Sequence, residues 1–467
     1  MGVILCIGAF YLSTIRDGHN PGGDFAQYIL HAENIVQGKN YQDTGYIYNP
    51  HYPQLGPKAY PPVYPLVLAP VIQVFGIHLK AMKIENIGFF LVSLFVLYFI
   101  LKKNIPFLHA LAAVGIVGMN PFFWNFKDDV VSDILFLLLI LISLVFVDRT
   151  YRKNNTSKSL YIRALFCGGL LYLCCGTRTA GIAMLPSFLI VDWIASKKPS
   201  LFFMGSIAVF CVCMVIQNLL ISGGGSYLDQ FRWLTPRVVF HNVLIYTDSM
   251  IKLWDNGMSG WTWLRYIVFV LLLLPAAAGY AGRLKTISIH EVFPLFYLVV
   301  IVLWPTPQGA RFMIPVIPFF LYYAFLGFQN IRQPNLQRWL FVVLTVLIAF
   351  SYIGKYRTLD FGPLRTGIHQ KGMPELSRYV RDQTRASDVF IFEEPRIFAF
   401  CTGRHASGYF GPVRDELVWG YMEQIHADYF VLGESDPAFI KEFIARSKDR
   451  FDAVYRNDHF VVYRILP

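Results

Sequence analysis

Charge is what this sequence is short of. Asp, Glu, Lys and Arg make up 15% of its 467 residues, whereas an ordinary soluble protein is about one quarter charged. With 55% hydrophobic and 16% aromatic residues, that deficit excludes an ordinary soluble chain and points to an integral membrane protein. Cysteine is scarce and badly placed for a framework. Cys6, Cys167, Cys174, Cys175, Cys211 and Cys213 lie in apolar segments and Cys401 stands alone, so neither a disulfide scaffold nor a CxxC metal site is implied. There is no Walker loop, dinucleotide fingerprint, HExxH helix or GxSxG elbow, which leaves nucleotide, zinc-peptidase and serine-hydrolase chemistry without their motifs. No sequence repeat or low-complexity stretch is visible, and a repeat would be expected of many transporters.

The first apolar segment, "VILCIGAFYLSTI", lacks a basic flank and a small-residue cleavage site, so it reads as an anchor rather than a removable signal. It falls short of the roughly 20 residues a span needs, so the true start lies upstream or neighbouring helices complete it. The net charge of +11 does not imply nucleic acid: residues 355–467 carry sixteen charges of each sign, which puts the excess in the membrane part, where basic loops set topology and meet anionic lipid.

Further apolar runs occur near residues 84–101, 105–123, 130–147, 161–176, 179–195, 200–221, 262–281, 290–304, 312–328 and 339–354. With the first segment they make about 11 transmembrane helices. The segment "VYPLVLAPVIQVFG" at 63–76 is short and proline-rich, and reads as interfacial or re-entrant. Lys102 and Lys103, then Arg149, Arg152, Lys153, Lys158 and Arg163, then Lys197 and Lys198, Arg283 and Lys285, and Arg332 and Arg338 fall on alternate connections. By the positive-inside rule that side is cytoplasmic. The other side then receives residues 16 to about 80, the turn from Trp124 to Asp129, the loop 222–261, the turn "WPTPQGAR" and the end of the chain. The "NNTS" sequon at 154–157 would be cytoplasmic, and "SGGGS" at 222–226 reads as a hinge.

Residues 355–467 change character. "DVFIFEE", "IFAFCTG", "DYFVLGE" and the pair "FDAVYR" and "HFVVYRI" read as strands, the last two as a hairpin around Asn457 and Asp458. "MPELSRYVRDQTR", "RDELVWGYMEQIH" and "DPAFIKEFIARSK" read as helices, the third with Asp436 as N-cap and Pro437 at its first position. The expectation is a polytopic α-helical membrane protein, residues 1–354 with a first outer loop at 16–80, followed by a C-terminal extracytoplasmic α/β domain at 355–467.

Polar residues stand out against this background. On a helix, Asp24, Gln27, His31 and Asn34 share one stripe while Phe25, Ile29, Ala32 and Val36 line another side, as for a helix along a membrane surface. Asp24 alone is explained by its place at a helix start. Asp128 and Asp129 precede a span, and Asp129, Ser132 and Asp133 fall on one face. Intramembrane carboxylates are costly and should meet a cavity or a partner. Capping with polar packing, and a divalent cation (Mg or Mn) or acceptor site at Asp128 and Asp129, both satisfy that demand. Lys58, Arg178 and Arg311 are cations expected at the outer boundary, where they suit a phosphate at headgroup level or simple anchoring.

"GGDFAQYILHAENIVQGKNY", "KAYPPVYPLVLAPVIQVFG", "SDILFLLLILISLV", "GTRTAGIAMLPSFLI" and "ARFMIPVIPFFLYYAF", in that order, resemble the GT-C superfamily of membrane glycosyltransferases, in particular the protein mannosyltransferase and aminoarabinose transferase group. The resemblance covers roughly residues 1–330. It implies a GT-C-like fold and transfer of a sugar from a polyprenyl- or dolichyl-phosphate carrier to a glycan, lipid or protein acceptor on the outer face, usually with inversion. Asp24 occupies the position of the family's first-loop acid and is the implied general base or acceptor-orienting group. Phe25 stands where many relatives have a second acid. Lys58, before Pro-Pro, matches a basic residue that grips the carrier phosphate, with Arg178 and Arg311 as further phosphate ligands. Gln27, Tyr28, His31, Tyr60 and Asp129 are the expected acceptor or cavity residues. A bacterial plasma membrane is the expected location. A lipid-linked glycan flippase, and a polymerase or ligase using a diphosphate-linked oligosaccharide, are the alternatives.

Overall fold

A helix rises about 1.5 Å per residue, so some 20 apolar residues cross a ~30 Å hydrocarbon layer with every backbone polar group paired internally. The computed structural model of the chain describes residues 1–20, 22–152, 157–221 and 225–466. Among these, seven helices are long and apolar enough to cross a membrane: Leu79–Leu101, Asp133–Tyr151, Leu160–Thr177, Thr179–Ser196, Leu201–Leu220, Ser259–Thr286 and Pro334–Thr358. Gly2–Ser13, Val63–Phe75, Phe107–Gly118, Ile289–Val302 and Ile317–Gln329 are shorter apolar helices. All eleven expected runs are therefore helical, four of them below spanning length, and the segment read as interfacial or re-entrant is the helix Val63–Phe75 with Pro70 inside it. Asn154, Asn155 and Thr156 of the "NNTS" sequon, Lys153, the side chains of Arg152, Ser157 and Lys158, and Ser222, Gly223 and Gly224 of "SGGGS" lie outside the described residues.

The chain ends in a six-stranded sheet: β1 (Tyr46–Ile47), β2 (Val389–Ile391), β3 (His405–Ser407), β4 (Tyr429–Gly433), β5 (Phe451–Arg456) and β6 (Phe460–Ile465), in the order β1-β3-β2-β4-β6-β5. The first four neighbours pair in parallel, and β4, β6 and β5 are antiparallel, the last pair being the expected hairpin. β1 comes from the first loop, with Tyr46 opposite Ala406 and Ile47 opposite Ser407. Alternation along β2 and β4 splits their side chains between two cores. Phe390, Tyr429 and Val431 join the hydrophobic core shared with the membrane helices, while Ile391 and Phe430 join a second core with Ile440 and Phe443.

Two local expectations are corrected. "IFAFCTG" is not a strand but most of the helix Pro395–Thr402: Pro395 at its start presets the helical φ, and Gly403, at φ 67°, ends it in the left-handed conformation that glycine tolerates. The strand falls instead on His405–Ser407. The last helix begins one residue late, at Ala438 with Pro437 as N-cap, because Asp436 is engaged with the Gly433 amide and the Tyr409 hydroxyl.

The helix Asp24–Gln37 is where expected, but its polar stripe does not face water. Gln27, His31 and Asn34 are buried because the first loop wraps over them. The Gln27 amide donates to the Lys58 carbonyl (2.6 Å), His31 Nδ1 to Tyr41 (2.6 Å) and the Asn34 amide to Asp43 (2.9 Å). On the other side Phe25 packs edge-on against Phe400 of the helix Pro395–Thr402, ring centroids 5.8 Å apart. The first loop is thus clamped between the membrane helices and the C-terminal sheet.

Candidate active site

Five charged side chains converge because each lies at a helix end. Asp24 and Asp133 are the first residues of Asp24–Gln37 and Asp133–Arg152, where the helix dipole favours a carboxylate. Arg311 is the second residue of the short helix Ala310–Met313, and Arg396 follows Pro395. Arg178 separates the helix Ser157–Thr177 from the 3₁₀ turn Thr179–Ala183. That turn can fold back only because residue 181 is glycine: a Cβ there would lie 2.6 Å from the Cys174 carbonyl carbon.

Both oxygens of Asp24 are taken. Oδ1 accepts from the Tyr60 hydroxyl at 2.7 Å and from Arg396 Nη1 at 2.9 Å; Oδ2 accepts from Arg311 Nη1 at 2.5 Å. Arg311 Nε reaches Asp133 Oδ2 at 2.9 Å, and Arg178 pairs with the other oxygen of Asp133. Arg396 also donates to the Tyr60 oxygen (2.5 Å), the Leu55 carbonyl (2.8 Å) and Glu394 Oε2 (3.2 Å). Three guanidiniums and three carboxylates therefore form one neutral, alternating chain: Arg178, Asp133, Arg311, Asp24, Arg396, Glu394.

Burial alone would raise the Asp24 carboxyl. The charges of Arg311 and Arg396 and the hydrogen bonds from Arg311 and Tyr60 outweigh it and hold the group well below the usual carboxylate range. Glu394 is raised, because burial exceeds the pull of Arg396. The Tyr60 hydroxyl is raised far above its ordinary value by burial, and by Asp24 against the opposing Arg396, so it remains a proton donor.

Asp24, Tyr28, Tyr60, Arg178 and Arg311 line one cleft that holds about 680 Å³ of empty space, part of it open to solvent. Tyr227, Gln230, Trp304 and Thr306 close its far wall, with Gln230 tied to the Pro53 carbonyl (2.9 Å) and to the Thr306 hydroxyl (3.0 Å). Tyr28 is fixed by the Ser132 hydroxyl at 2.8 Å.

The other expected residues are elsewhere. Lys58 is not among the lining residues and contributes its carbonyl, to Gln27, rather than its ammonium. His31 is a buried strut: Nδ1 donates to Tyr41, Nε2 accepts from the Tyr60 amide (3.2 Å), and burial pushes the ring down to about 4, keeping it neutral. Asp129 accepts from Asn20 at 2.5 Å, and burial pushes its carboxyl up to about 7. The Asp128 oxygens are held by Arg16 (2.7 Å), Lys127 (2.7 Å) and Lys83 (3.8 Å). A pair already neutralised by three cations, with its second member turned to an amide, does not fit a divalent cation, whether Mg or Mn. Among the described residues no group of three His, Cys, Asp or Glu side chains converges as metal ligands would.

Arg396 and Glu394 were not anticipated, and no motif marks them; the one cue is a charged "EEPR" run at a helix start within an otherwise apolar stretch. Tyr227 opens the 3₁₀ helix Tyr227–Trp233 and Trp304 follows the helix Ile289–Val302, and their approach to the first loop is a tertiary matter.

The family model described as dolichyl-phosphate-mannose-protein mannosyltransferase matches residues 59–216. No curated protein sequence matches the chain. Among solved structures, ArnT from Cupriavidus metallidurans bound to undecaprenyl phosphate is similar at TM-score 0.56 and 12% identity, over 99% of this chain and 96% of that one. The oligosaccharyltransferase of Archaeoglobus fulgidus in complex with zinc and sulfate is similar at TM-score 0.63 and 11% identity, over 92% of this chain and 68% of that one. The oligosaccharyltransferase AglB from Archaeoglobus fulgidus, with an inhibitory peptide and a dolichol-phosphate, is similar at TM-score 0.61 and 10% identity, over 92% of this chain and 69% of that one. The chain shares its overall fold with ArnT and with the Archaeoglobus fulgidus oligosaccharyltransferase.

Proposed function

We propose that this protein is a membrane glycosyltransferase that moves one sugar from a polyprenyl- or dolichyl-phosphate carrier to an acceptor at the outer face of the membrane, with inversion. The observation that carries this reading is the placement of Asp24 beside Arg311 and Arg178 in one cleft. The two relatives' structures with undecaprenyl phosphate and dolichol-phosphate support a carrier of that class.

The chemistry follows from the charges. The acceptor oxygen attacks the anomeric carbon while the bond from that carbon to the phosphate oxygen breaks, and its electron pair leaves with the phosphate. Arg178 and Arg311 pair with the anion so formed, as fixed cationic donors aimed at developing charge do. Asp24 takes the acceptor proton. Tyr28, Tyr60 and Tyr227 offer the faces and hydroxyls that orient a sugar. Lys58 lies outside the cleft and enters this reading only as the carbonyl that braces Gln27. No step is assigned to a divalent cation.

The test uses full-length protein with a labelled polyprenyl-phosphate sugar and candidate lipid, glycan and protein acceptors, with mass analysis of products. One added sugar and release of the carrier monophosphate support the proposal. Counterflow of lipid-linked glycan without a new glycosidic bond, or transfer of an oligosaccharide block from a diphosphate, would replace it with transport or polymerisation.

A further inference from the structure

Asp24 is held from two sides by guanidiniums with different access. Arg311 lines the cleft; Arg396 does not. Arg396 reaches Oδ1 from behind, out of the helix Pro395–Thr402, and is itself buried, with Leu55, Tyr60 and Glu394 as further partners. It is packed so closely that a Cβ on Gly23 would lie 2.6 Å from its Nε and 2.5 Å from Glu394 Oε2. Oδ2, by contrast, has Arg311 as its one hydrogen-bond partner among the described residues, and Arg311 is also bound to Asp133. An anion entering the cleft therefore competes for Arg311 and cannot reach Arg396.

A carboxylate locked by two guanidiniums is a weak base, because its basicity falls with its proton affinity. Something must loosen it without letting the side chain rotate away. We propose that Arg396 is a positioning residue that keeps Oδ1 of Asp24 in place while the donor phosphate draws Arg311 off Oδ2, leaving that oxygen to take the acceptor proton. This rests on the glycosyltransferase reading given above. The proton balance is closed: the acceptor hydroxyl loses one proton to Oδ2, and the phosphate carrying the displaced electron pair stays with Arg178 and Arg311. Proton affinity at Asp24 then rises only when donor is bound, so the base is switched on by the substrate it serves. The C-terminal domain acquires a part in the reaction, since it supplies the fixed half of the grip.

The experiment compares wild type with Arg396→Gln and Arg396→Lys in nanodiscs, measuring kcat, donor KM and the pH profile of kcat. Expected for Arg396→Gln is a kcat loss of roughly 10- to 100-fold, the scale of a misplaced base, with donor KM little changed and the acidic limb of kcat moved to higher pH. Arg396→Lys should recover part of kcat. An unmoved limb, or a raised KM at constant kcat, overturns the proposal. Wild-type protein supplies a readout free of folding defects: the infrared carboxyl band of Asp24, identified by its loss in Asp24→Asn, should titrate at higher pH once polyprenyl phosphate is added. No change on adding the lipid also overturns it. If Asp24→Asn retains full transfer, the base assignment itself fails; if Asp24→Asn is inactive and Arg396→Gln behaves as wild type, this inference alone fails.

Discussion

Asp24 and Arg396 are 372 positions apart in the chain and meet at 2.9 Å. One opens a helix of the first loop, the other a helix of the C-terminal domain. Their contact makes the acid at the cleft depend on a domain that the sequence places far from it.

Removing a cleft cation should separate donor handling from folding. Arg178→Ala leaves one oxygen of Asp133 without its partner while Arg311 still holds the other. A loss in kcat/KM of roughly 10²- to 10³-fold is expected for one missing donor to a developing anion. Steady-state kinetics with varied donor check it; an unchanged kcat/KM would take Arg178 out of the phosphate site.

Asp128 is expected to be structural. Its substitution by alanine leaves Arg16, Lys83 and Lys127 facing one another without their shared anion, and breaking a buried pair costs about 3–5 kcal/mol. Thermal unfolding in detergent should show a marked drop in midpoint. The same variant assayed with and without a chelator should show no metal-dependent difference beyond wild type.

Asp129 predicts a pH dependence of stability. Its folded pKa is raised from 3.8 to about 7 by burial, so the folded state's advantage from this group is full below the unfolded value and is lost as pH rises through about 7. Asp129→Asn removes the cost of ionising it. The variant should gain thermal stability over wild type at pH 8 and gain little at pH 5. An equal gain at both would assign the effect to packing.

The parts legible in sequence are those governed by local pattern. Each expected apolar run is a helix, and Asp24, Tyr28, Tyr60, Arg178 and Arg311 were all singled out as residues and do share a cleft. What could not be read depends on distant chain. His31 and Gln27 had the right periodicity for a polar face, but whether that face meets substrate or the carbonyls of Tyr41 and Lys58 is decided by how the loop wraps. Lys58 sits in a suggestive local motif, yet its backbone does the bonding. Arg396 needed the opposite inference: nothing beside it in sequence hints at Asp24. "IFAFCTG" is apolar enough for either a strand or a helix, and Pro395 and Gly403 decide it.

The central claim is that Asp24 is the base for transfer. Full-length Asp24→Asn, shown to be folded by an unchanged elution profile and unfolding midpoint, should be assayed with a labelled polyprenyl-phosphate sugar and the acceptor that wild type uses. The expected result is a rate lower by about 10²- to 10⁴-fold, the usual worth of a general base, with donor still bound. Transfer at the wild-type rate by Asp24→Asn would contradict the account.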